Sequence, residues 1–166
     1  MDQRAPADDN KSRDRLTDIT LDPKSLGRTS ANIEHEREVA IFDIIDGNAF
    51  AVDETDRGPY KLHLALAEDR LLLNVATADD QDVAQHQVQL TPLKRIMKDY
   101  FMVCESYYEA VRTAPPARIQ AIDVSRRGLH DEGSTILREK LAGRITIDED
   151  TARRLFTLVC SLHWKG

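Results

Sequence analysis

Two stretches carry residue types whose spacing could do chemistry. In Ser125–Gly133, SRRGLHDEG, two arginines, a glycine and a His-Asp-Glu triplet stand together. Arg126 and Arg127 have the planar fork that grips a carboxylate or phosphate through paired hydrogen bonds. His130 could act as a general base if an acid elsewhere oriented it. In Thr91–Thr113, TPLKRIMKDYFMVCESYYEAVRT, the cations Lys94, Arg95 and Lys98 crowd the first half of an apparent helix. The macrodipole prefers anions there, and a wrongly signed charge near a terminus forfeits about 0.3–1 kcal/mol. Glu105 and Glu109 are wrongly signed in the other half. Lys94–Lys98 and Glu105–Glu109 are also like-charge i,i+4 pairs. Free N–H groups at Thr91–Lys94 together with the cations would make an anion site. Two readings stay open. In one, Lys94, Arg95, Lys98, Arg126, Arg127 and His130 share a basic surface for an acidic or phosphate-bearing ligand. In the other they form a solvated helix face and a helix-to-helix turn, their charge paired with acids of other elements.

No metal or cofactor is expected. His35 with Glu34 and Glu38, His130 with Asp131, and Glu105 with Glu109 are available. None has the spacing of a zinc-binding H-E-x-x-H or paired-cysteine motif. Cys104 and Cys160 both sit among apolar neighbours in apparent helices. A nucleophilic thiol needs an open, positive setting, so both read as buried free thiols, natural in a reducing cytoplasm.

These residues must be positioned by a fold. The 166-residue chain suggests one domain, large enough to need no disulfide or metal. No apolar run approaches the roughly 20 residues of a membrane span, and the N-terminus has no secretory h-region. The net charge of −6 argues against general nucleic-acid binding. It is divided unevenly, −8 over residues 15–90 and +3 over residues 91–145. The acidic front and the basic helical block would attract each other, or the basic block would meet an acidic partner.

Residues 1–14 read as a disordered tail and residues 15–166 as a single α+β domain. Arg15–Leu21 alternates like a strand. Ser30 caps a helix from Ala31 to about Asp46. Its main stripe is Ile33, Ala40, Ile41, Ile44 and Ile45, with Arg37 inside it. His35, Val39 and Phe42 form a second line on the opposite side, so this helix is covered twice or shows one side to a partner. Phe50–Val52 is a brief strand. Leu62, Leu64 and Leu66, then Leu71, Leu73 and Val75, then His86, Val88 and Leu90, recur at period two. Short acidic connections join them, so the expected fold is α+β: an antiparallel sheet with a three-strand meander, one face covered by several helices. Arg15–Leu21 and Ile145–Ile147 would extend this sheet.

The organising helix runs over Thr91–Thr113, with Thr91 as N-cap, Pro92 at the first helical position and a stop at Pro115–Pro116. Beyond it, a turn or helix from Pro116 is interrupted at Arg126–Gly128, and a second helix covers Leu129–Ala142. Gly133 lies on that helix's apolar stripe, which implies a close approach by another backbone. Asp148 caps a last, central helix from Glu149 to about Trp164.

RLTDITLD, EHEREVAIFDIIDGNAF, GPYKLHLAL, LTPLKRIMKDYFMVCESYYEAVRTA, SRRGLHDEGS and DTARRLFTLVCSLHW together resemble an alphaproteobacterial family catalogued as an uncharacterised protein family. The resemblance covers about residues 15–166. It implies a stand-alone cytoplasmic protein and brings no activity, cofactor or catalytic residue with it. On the residues themselves, the expected function is a non-enzymatic binding or regulatory module acting through protein contacts. The alternative is a small enzyme or binding protein for a phosphorylated or carboxylated metabolite, using the basic residues near 91–98 and 125–133.

Overall fold

The computed structural model describes residues 13–26 and 30–163. Its elements are β1 (Leu16–Leu21), α1 (Ala31–Asp46), β2 (Phe50–Val52), β3 (Tyr60–Ala67), β4 (Arg70–Thr77) and β5 (Asp82–Gln89). They continue with α2 (Lys94–Thr113), α3 (Pro116–Leu141), β6 (Ile145–Ile147) and α4 (Glu149–His163). The expectation of a disordered tail falls for residues 1–12 outside the described residues. Arg13 and Asp14 belong to the fold: Phe50 N–H donates to the Asp14 carbonyl at 2.9 Å. The Arg13 carbonyl lies so close to Gly58 that any Cβ there would overlap it, which is why that position is glycine.

The meander β3–β4–β5 forms in the expected phase. Leu64 faces Leu73, and Leu71 faces Val88. Leu62, Leu64, Leu71, Leu73, Val75 and Val88 are buried, while Lys61 and His63 are half-buried and Asn74 is exposed. The sheet is nevertheless mixed and four-stranded, in the order β1–β3–β4–β5, because β1 lies parallel to β3. A parallel neighbour needs a crossover, and α1 with β2 supplies it. β6 does not extend this sheet. It pairs antiparallel with β2 in a separate two-stranded sheet.

The helical half departs from expectation at three points. Thr91 does not cap α2: Thr91–Leu93 is a 3-10 turn, with Leu93 preceding the helix and no side-chain cap. Arg126–Gly128 does not interrupt α3, which runs unbroken for 26 residues. Asp123 explains part of this, since it pairs with Arg126 and Arg127 one turn on. Gly128 is exposed with open space around it and adds only the ordinary propensity cost of about 1 kcal/mol. Gly133 does admit a close neighbour, but the neighbour is a side chain. A Cβ at Gly133 would run into the Phe156 ring.

α4 is the central element, packed between α1 and α3, and α2 packs on α3. Asp148 accepts from Thr151 N–H at 2.9 Å and starts α4 as expected. Leu155, Phe156, Leu158, Val159 and Cys160 are all essentially inaccessible, so α4 is covered nearly all round.

Candidate functional site

The sequence-predicted basic residues do not gather at one place. Lys94 Nζ lies 2.7 Å from Asp69 Oδ1 in the β3–β4 turn. Arg95 and Lys98 are exposed on α2. Arg126 stacks on the Tyr107 ring at 4.1 Å and reaches Asp123 at 2.5 Å, and Arg127 reaches the same carboxylate at 3.0 Å. From Lys98 to Tyr107 is roughly 13 Å along α2 and about two and a half turns around it. The two basic groups therefore lie at different levels of the α2–α3 hairpin, with Lys98 on the opposite side of α2 from Tyr107. The arginines pair with an acid of their own helix rather than with Glu105 or Glu109.

His130 is packed rather than poised. Its ring sits 5.4 Å from Tyr100 and 5.3 Å from Phe156, and Nε2 is 2.7 Å from Thr157 Oγ1. Burial, with Arg153 and Arg126 nearby, lowers its pKa to about 4. A base that weak is a poor proton acceptor at neutral pH. Burial first, then the charge of Glu36, pushes the Cys104 thiol up to about 11, the opposite of what a nucleophile needs. Among the described residues no group of three or more His, Cys, Asp or Glu side chains converges to hold a metal ion.

Sequence reasoning missed Glu36. The Tyr108 hydroxyl donates to Glu36 Oε1 at 2.5 Å, tying α1 to α2. Burial and this hydrogen bond raise the Tyr108 pKa, so the phenol stays protonated and the bond is charge-assisted. The only sequence signal was a carboxylate beside the buried stripe of α1. Its partner is 72 residues away, beyond any local pattern.

The remaining candidate is α1 itself. Ser30 Oγ accepts from Ile33 N–H at 3.2 Å and fixes its start. Ile33, Ala40 and Ile44 are buried. Arg37, inside that face, is satisfied by Ser161: Nε donates to its hydroxyl at 3.3 Å and a terminal nitrogen to its carbonyl at 3.1 Å. Desolvation lowers the Arg37 pKa, with Glu34 opposing.

Its second line, His35–Val39–Phe42, faces outward. Val39 is 41% exposed and Phe42 is 70% exposed, the largest exposure among the large apolar side chains described. By helical register Glu38 flanks this line on one side and Asp46 intrudes on it, with Glu34 and Asp43 farther round. Glu34, Glu38 and Asp46 are exposed. Beside Val39 a cleft of about 250 Å³ opens between α1 and α4, lined by His35, Glu36, Asp43, Tyr100 and Arg154 among others. The result is an apolar ridge in an acidic setting, with a shallow cleft along one flank.

No helix among the described residues is long and apolar enough to cross a membrane. No solved structure matches this chain. The chain is 54% identical over 153 residues to a UPF0262 protein of Xanthobacter autotrophicus, spanning 92% of this chain and 93% of that one. It is 56% identical over 158 residues to one of Mesorhizobium japonicum, spanning 95% and 98%. With one of Agrobacterium fabrum it shares 53% identity over 152 residues, spanning 92% and 96%. The model of the uncharacterised protein family UPF0262 matches residues 13–165, and with near full-length relatives of this similarity the chain belongs to that family.

Proposed function

We propose that this protein is a binding or regulatory module that acts through protein contacts, with the outer face of α1 as its contact surface. The observation that carries the reading is Phe42, a phenyl ring 70% exposed in the middle of a helix whose other face is fully used. Aromatic side chains supply large contact area for little conformational entropy and are enriched at interfaces. Val39 extends the apolar ridge one turn back. The helix carries Glu34, Glu36, Glu38, Asp43 and Asp46 against Arg37 alone. The partner that fits is a segment with an apolar strip and basic flanks, such as a basic amphipathic helix. The catalytic alternative has less support, because His130 is a weak, enclosed base and four of the six basic or imidazole side chains assigned to an anion site already have partners.

The test is a photo-reactive phenylalanine analogue in place of Phe42, with the same analogue in place of the exposed Val111 on α2 as control. Irradiation in living cells should give a discrete protein adduct at position 42 and none at 111. The adduct should weaken with Glu38→Lys and Asp46→Lys. No adduct at 42, or equal adducts at both positions, refutes the reading.

A further inference from the structure

β5 ends the main sheet in the order β1–β3–β4–β5, so one of its edges meets no strand among the described residues. The direction of its free backbone groups follows from one hydrogen bond. Leu90 N–H donates to the Asp69 carbonyl at 2.7 Å, on the same diagonal as Leu71↔Val88 and Leu73↔His86. Hydrogen-bonded and non-bonded pairs alternate along an antiparallel ladder. Leu90, Val88, His86 and Ala84 therefore turn their N–H and C=O groups to β4. Gln85, Gln87 and Gln89 turn theirs outward, and Val83 lies in a bulge with no partner on β4.

Beyond a bulge at its start, that edge lacks the usual protections. Residues 83–89, VAQHQVQ, contain no charged side chain and no proline, whereas exposed edges are ordinarily blunted by lysine, proline or charge. The one irregularity in the β4–β5 register is a bulge at Val83, since Ala84 pairs with Val75 and Asp82 with Ala76. In a chain of net charge −6, a second copy is repelled by most surfaces, and this neutral strand is a place where it can approach. The outward groups are also self-complementary. Each glutamine amide is both donor and acceptor, which suits an interface in which one patch meets itself.

The centre of the run adds an independent observation. His86 faces Leu73 on the helix-covered side of the sheet, and its Nε2 is buried with no hydrogen-bond partner among the described residues. Such a group ordinarily has a partner. Pairing the strand with its own copy about His86 sets Gln85 opposite Gln87 on both sides of the axis, for about four backbone hydrogen bonds in all. The two His86 residues meet at the closest cross-strand spacing, Cα atoms about 4.5 Å apart. A neutral imidazole offers one donor and one acceptor nitrogen, so the two rings, each turned from its buried position toward the seam, can pair with each other.

We infer that β5 is a docking edge for a second copy of this chain, pairing antiparallel about a two-fold axis at His86 and joining two four-stranded sheets into one. The surface is distinct from the outer face of α1.

Sedimentation of the full chain and three variants tests this. The wild type should sediment as a dimer. Gln87→Pro removes only an outward N–H and leaves the β4 ladder intact, so its circular dichroism should be unchanged. Its dimer should weaken by about 30-fold, for two edge bonds lost per dimer. Phe42→Asp should remain dimeric. His86→Cys should give a covalent dimer on mild oxidation, since the paired Cα atoms fall within disulfide reach and the native Cys104 and Cys160 are buried. A wild type that stays monomeric at every concentration overturns the inference. So does a dimer that survives Gln87→Pro while His86→Cys fails to cross-link. A monomer that dimerises only after removal of residues 1–12 assigns the edge to that segment and overturns it as well.

Discussion

Gly133→Ala opposes two physical effects of known sign. Alanine is favoured over glycine within a helix by about 1 kcal/mol, and Gly133 lies well inside α3. A scale of propensities therefore predicts stabilisation. The packing predicts the reverse. The new Cβ would stand within 3.0 Å of three atoms of the Phe156 ring, a distance real Cβ contacts do not reach. Phe156 is fully buried and held against Tyr100 and His130, so the ring cannot step aside without moving the α3–α4 interface. Overpacking of this kind costs about 1–3 kcal/mol and sometimes more. With the propensity gain of about 1 kcal/mol subtracted, the net loss should reach up to about 2 kcal/mol, or up to roughly 8 °C in melting temperature for a chain of this size. Urea unfolding measures it directly. The double variant Gly133→Ala with Phe156→Leu isolates the cause, because a smaller side chain at 156 admits the methyl group. Gly133→Ala should cost less in that background than in the wild type. A stabilised Gly133→Ala, or an equal cost in both backgrounds, refutes the close approach.

Leu64→Ala should cost about 2–5 kcal/mol in urea unfolding, and Lys61→Ala should stay within about 0.5 kcal/mol; equal losses would put the register one residue out. Ser30→Ala should cost about 0.5–2 kcal/mol and Ser30→Asp little, since the hydroxyl caps α1. The imidazole of His130 should titrate by NMR near pH 4, and a midpoint near the ordinary 6.5 would mean the ring is not enclosed. The folded chain then binds fewer protons than the unfolded one between those values, so stability should fall as pH drops from about 6.5 towards 4, and His130→Asn should flatten that limb. Cys104, with its thiol pushed up to about 11, should react slowly with a thiol reagent at pH 8 until denaturant is added.

What could be read from the sequence followed how far each signal reaches along the chain. Period two in β3–β5, the Ser30 and Asp148 caps and the all-round apolar pattern of α4 are local, and each appears where residue spacing put it. Pairing is not local. β1 and β6 were recognisable as strands, but neither the parallel union of β1 with β3 nor the small β2–β6 sheet is written in their own residues. The break expected at Arg126–Gly128 failed because Asp123 neutralises both arginines one turn on and the glycine stands in open space. At the candidate surface, Val39 and Phe42 announced themselves by spacing. Glu36 did not, because its meaning comes from Tyr108 on another helix, and the dispersion of the six basic-site residues needed the geometry of the α2–α3 hairpin.

The central place of α4 has a consequence for how the protein is made. Ile33, Ala40 and Ile44 of α1 emerge from the ribosome early, yet the helix they pack on is the last described element of the chain. Arg37 waits for Ser161, 124 residues later. Until residues 149–163 are out, the nascent chain holds uncovered faces on α1 and α3, surfaces that chaperones bind and proteases cut. A ribosome stalled before codon 149 would leave a product with its centre missing, so quality control should remove such fragments sooner than full-length chains weakened at a single core position.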